Sequence, residues 1–128
     1  MKKWSLLLIL PIIVLVNNSC EKEKISQVDI QFNSPGNNST VGSQVNLDIT
    51  FSSQEELHDI EISLKNESNQ ENVPTFPRSI HQHVNFYPFT ESVNLDSYPT
   101  GTEFHLEATA CKNHDCTEKE IKSIHFKK

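Results

Sequence analysis

Between residues 45 and 51, apolar Val45, Leu47, Ile49 and Phe51 alternate with polar Asn46, Asp48 and Thr50. A two-residue period puts the apolar side chains on one face of an extended backbone and leaves no helical stripe. The pattern returns in Ile60, Ile62 and Leu64, and again in Phe104, Leu106, Ala108 and Ala110. Val28, Ile30 and Phe32 repeat it near the start, as do residues 121–126 near the end. Val84-Asn85-Phe86 and Val93-Asn94-Leu95 are shorter candidates. No long stretch after the first 26 residues has helical spacing. The expectation is an all-β chain of half-buried strands, each with one face on a core and one in water.

Turn chemistry separates these runs. Ser34-Pro35-Gly36-Asn37-Asn38 and Tyr98-Pro99-Thr100-Gly101 are strong breakers, and Lys112-Asn113-His114-Asp115 fits a hairpin turn. Residues 66–78, with Pro74 and Pro77, read as a long loop or weak edge strand. About seven short strands with turns between them predict a two-layer antiparallel β-sandwich over residues 27–128.

The chain opens differently. Basic Met1-Lys2-Lys3-Trp4 leads into an apolar run over residues 6–16, broken only by Pro11. That run is short of the roughly 20 residues of a bilayer span and has the size of a secretory signal core. Val16-Asn17-Asn18-Ser19-Cys20 then places a small residue before a cysteine. This resembles the lipobox of bacterial lipoproteins, with Asn17 where that motif usually has Leu. Glu21-Lys22-Glu23-Lys24 behind it resembles the export signal of Bacteroidota surface lipoproteins. The resemblance implies a signal peptide over residues 1–19 and lipidation of Cys20. It further implies a polar tether over residues 20–26 and a place in the cell envelope, on the periplasmic side of the outer membrane or on the cell surface. Each acyl methylene in the bilayer contributes about 0.8 kcal/mol, so the lipid bilayer needs nothing from the folded domain to hold it.

Cleavage before Cys20 takes 19 of the 128 residues and leaves 109, enough for one domain. Lys2 and Lys3 leave with the leader, so 9 basic residues face 17 acidic ones, a net charge of −8. Nucleic acid is excluded as a partner, because it requires Lys and Arg to displace phosphate counterions. Cations are compatible with such a surface.

Asn33-Ser34-Pro35-Gly36-Asn37, Val41-Gly42 and the strand from Val45 open the domain; Gly101-Thr102, the strand from Phe104 and a returning hairpin close it. In that arrangement the chain resembles immunoglobulin-like domains of bacterial surface proteins, and among them a Bacteroidota lipoprotein family of unknown function. The resemblance implies an immunoglobulin-like sandwich and carries no activity with it. Where many such modules have a polar turn, this chain has Cys111-Lys112-Asn113-His114-Asp115-Cys116. Two cysteines flanking a four-residue turn would face each other across a hairpin, near the ~5.5 Å Cα separation a disulfide accepts. An exported protein favours that bond over a thiolate metal pair with His114.

Six histidines are many for so small a domain. His81 and His83, two apart on a strand, would point to one face and could share a zinc or copper ion. A third ligand would come from His58, His105 or a nearby carboxylate. The plainer reading makes them ordinary solvent-facing strand residues, with no cofactor. Phe86-Tyr87-Pro88-Phe89 reads as core and core edge before it reads as a ligand platform. Asp59 and Asp96 have no partner legible in the sequence, and Glu55-Glu56 reads as a solvated turn. No nucleophile elbow or phosphate cradle is present, so no enzyme activity is expected. The sequence reading therefore ranks an anchored module that contacts a protein or glycan, chiefly through the loop over residues 66–78, ahead of a metal binder. A structural spacer comes third.

Overall fold

The structure is a computed structural model that describes residues 27–128. The expected leader, the lipidated Cys20 and the tether lie outside the described residues. The described chain is all-β, with strands β1 (Val28–Ser34), β2 (Ser39–Thr40), β3 (Gln44–Asn66), β4 (Arg78–Asn94), β5 (Glu103–Cys111) and β6 (Lys119–Lys127). The strand order is β1-β3-β5-β6-β2, with β4 on β3.

Six elements stand where about seven were expected: two pairs of short runs have merged, and the two-residue β2, which pairs parallel to β6, is an addition. The runs at residues 45–51 and 60–64 are halves of β3, and those at 84–86 and 93–94 are parts of β4. The first half of β3 lies between β1 (Ile30↔Phe51) and the end of β4 (Val45↔Val93). Its second half lies between the start of β4 (Ile60↔Ile80) and β5 (Leu64↔Leu106). One long hairpin thus serves both layers of a curled, sandwich-like sheet. The curl brings Arg78 and Glu91, at opposite ends of β4, into a two-point ion pair; a straight strand would hold them roughly 40 Å apart.

The inward phase of β3 records where it bends. Val45, Leu47, Ile49, Phe51 and Leu57 are buried, and then Ile60, Ile62 and Leu64. The switch from odd to even positions requires one extra residue in the ladder, which is a β-bulge. The β3–β4 register shifts there, from Leu57↔Val84 to Asp59↔His81.

The core fills the curl. Phe104 is fully enclosed, stacked on Phe126 (5.3 Å) and edge-on to Tyr98 (5.1 Å). The loop over residues 67–77 is strapped down: Val73 and Phe76 are buried, and the Val73 amide donates to the Leu64 carbonyl. Residues 68–72, Pro74, Thr75 and Pro77 stay exposed around these two anchors. Phe89 is buried and Tyr87 packs against the core, whereas Phe86 is 58% exposed.

Candidate metal centre

The β3–β4 irregularity leaves His58 on one strand, and Gln82 and His83 on the other, outside the ladder pairing. A bulge re-aims the side chains it carries, and here it turns His58 and His83 toward each other, with ring centres 5.0 Å apart. His114 reaches the same place from the β5–β6 loop, 4.0 Å from His58 and 5.6 Å from His83. His81 stands 5.1 Å from His83. The disulfide Cys111–Cys116 forms, with Cα atoms 4.9 Å apart, and closes the loop that carries His114.

The cysteines do not face each other as a strand pair. Cys111 is opposite Lys119, and Cys116 sits within the loop with φ 54°. The turn is therefore longer than four residues. It is tied by the Lys112 amide donating to the Glu118 carbonyl and by the Asn113 side chain bonding to Thr117 and Glu118.

Ring spacing is informative about ligation. With a Zn–N bond of ~2.0–2.1 Å, two imidazoles held at a tetrahedral angle have ring centres about 5 Å apart. The separations among His58, His83 and His114 bracket that value, but their ring nitrogens do not all lie within 4.8 Å of one another, so the rings would have to turn about their side-chain bonds to share an ion. Carboxylates surround the rings. An Asp59 carboxylate oxygen lies 2.6 Å from His81 Nδ1, and Glu56 lies 3.8 Å from His83 Nδ1. A carboxylate on Nδ1 fixes the tautomer and presents Nε2 as a ligand. Asp59 therefore has the partner that the sequence did not reveal.

His58 is held below the ordinary imidazole pKa. Desolvation is the largest cause, followed by repulsion from His114 and His83, against which Glu56 and Asp59 act weakly. The neutral form so favoured is the one that binds metal. The His58 Nδ1 is shielded from solvent and has no hydrogen-bond partner among the described residues.

His105, the remaining candidate, is not part of this group. Its place on β5 puts it across from His125 on β6, beside Glu67. The sequence ties His114 only to the cysteines and reads Glu56 as part of a solvated turn, whereas Glu56 lies within β3; the sequence gives no signal for Glu67 or His125. No family model and no curated protein matches the chain.

Proposed function

We propose that this chain is a lipid-anchored envelope protein whose β-domain binds a zinc- or copper-class ion at its histidine-rich end. The observation that carries the reading is the convergence of His58, His83 and His114 from three separate segments, at ring separations of 4.0–5.6 Å. His81 provides a fourth imidazole, oriented by Asp59. The net charge of −8 after leader removal favours cation capture. With an acylated Cys20 the domain would work at the membrane surface as a metal-binding or metal-buffering module, without catalysis.

The test is calorimetric titration of the full chain in detergent with Zn²⁺ and Cu²⁺, repeated on His58→Ala/His83→Ala. Loss of one equivalent in the double variant supports the site; an unchanged number of equivalents at unchanged affinity rejects it. Mass spectrometry of protein from bacterial membranes tests the anchor: Cys20→Ser should remove the lipid mass and release the chain to the soluble fraction.

A second reading, a module that contacts a protein or glycan, is favoured by the exposed Phe86 ring on β4.

A further inference from the structure

The remaining histidines form a separate group on the outer face of the β5–β6 pair. His105 and His125 are direct cross-strand neighbours, with ring centres 4.8 Å apart. Glu67 follows the last residue of β3, and its amide donates to the Glu103 carbonyl at 3.0 Å, which ties it to the start of β5. Its carboxylate meets His125 Nδ1 in a short contact. Glu67, His105 and His125 each offer a ligand atom, and these atoms lie within 4.8 Å of one another. Among the described residues no other trio of histidine, cysteine or carboxylate ligands does so.

From this geometry we infer that Glu67, His105 and His125 form a second, independent site for a zinc-class divalent ion, with one coordination position left open. Three observations carry the inference besides the spacing. First, Nε2 of His105 is shielded from solvent and has no hydrogen-bond partner among the described residues. A metal ion would satisfy that nitrogen.

Second, the ligands are held by backbone rather than by free loops. The His125 amide donates to the Asn37 side chain at 3.0 Å, and its carbonyl accepts from the Asn38 amide at 2.6 Å. Pre-positioned donors lose little freedom on binding. Third, a cleft of about 310 Å³ opens on Glu67 and His125, between Asn38, Ser39, Glu103 and Lys127. It leaves room for water or a small anion as fourth ligand. Two imidazoles and a carboxylate with an open position make a recurrent zinc donor set.

Nδ1 of His125 and the Glu67 carboxylate touch directly; an ion held by this trio would replace that contact, and any proton displaced from a ligand would pass to solvent. Six positions along β5 separate His105 from Cys111, at the disulfide loop. That is roughly 20 Å at strand rise, too far for the two histidine groups to share one ion.

The test is Zn²⁺ stoichiometry of the full chain in detergent, by equilibrium dialysis, for three proteins: wild type, His105→Asn/His125→Asn, and His58→Ala/His83→Ala/His114→Ala. Two equivalents are expected for wild type and one for each variant. A His105→Asn/His125→Asn protein that binds as many equivalents as wild type overturns the inference. A wild type that binds one equivalent, lost only in the triple variant, also overturns it and leaves the proposed function standing. One equivalent lost only in the His105/His125 variant supports it and rejects the other site. As a check free of folding defects, Zn²⁺ should shift the His105 and His125 imidazole resonances in the triple variant; unmoved resonances would count against the site.

Discussion

His58 and His114 lie 56 residues apart in sequence, yet their rings sit 4.0 Å from centre to centre. Two imidazoles that close cannot both be protonated cheaply, and His58, the more desolvated of them, is the one held below the ordinary range. Its lowered pKa means the folded chain binds this proton less tightly than the unfolded chain. The associated stability is present above the unfolded value of about 6.5 and is lost as pH falls through the folded value. An NMR titration of the metal-free protein should find His58 titrating below that reference. In His114→Ala its midpoint should move back upward as the repulsion disappears. A His58 midpoint unaffected by the substitution would show that the rings are apart in solution.

The disulfide holds His114 in place through the loop it closes. Cys111→Ser/Cys116→Ser should lower stability by less than the ~3 kcal/mol expected for a fifteen-residue loop, because this loop is far smaller. The larger effect should fall on the metal site, since a loosened loop no longer presents His114 to His58. Denaturant unfolding and Zn²⁺ titration on the same samples separate the two effects. A variant that loses much stability and no affinity would mean the bond serves the fold rather than the site.

Asp59 lies on β3 directly opposite His81, where its carboxylate orients that ring. Partners of this kind set ligand orientation and basicity, and their loss lowers metal affinity by roughly 10–100-fold. Asp59→Asn keeps the shape and removes the charge. Affinity at the histidine-rich end should fall into that range while the melting transition of the metal-free protein stays nearly fixed. An unchanged affinity would exclude His81 from the ligand set.

These relationships differ in how far the residues disclose them. Alternation at Val45, Leu47, Ile49 and Phe51 forces strand and core face together, so the all-β architecture follows from local pattern. The odd-to-even switch between Leu57 and Ile60 is visible in the sequence too and marks the bulge beside His58. What it does not disclose is that the chain continues through the bend as one strand, because that depends on which neighbours pair with each half. The His105–His125 pair was hidden for a different reason. If Cys111 faced Cys116 across the hairpin, the register would set Lys122 opposite His105. The longer loop shifts it by three positions and sets His125 there instead. Register depends on turn length, and cysteine spacing alone misjudges it here. His114 reaches His58 only through that folded loop, so nothing local in the sequence links them.

Phe104 and Phe86 provide a matched pair for checking the assignment of core and surface. Both are phenylalanines on strands, but Phe104 is fully enclosed between Tyr98 and Phe126, while Phe86 is 58% exposed. Phe104→Ala removes a buried ring and leaves a cavity that its neighbours cannot fill, a loss of about 3–5 kcal/mol. That is a large part of the ~5–15 kcal/mol by which a domain of this kind is stable. Phe86→Ala removes little buried area and should stay within about 0.5 kcal/mol. Chemical denaturation of the two variants reads both effects directly. A Phe86→Ala loss approaching that of Phe104→Ala would mean the ring is covered in solution, as by a second copy of the chain. A small effect leaves Phe86 free for contact with a partner.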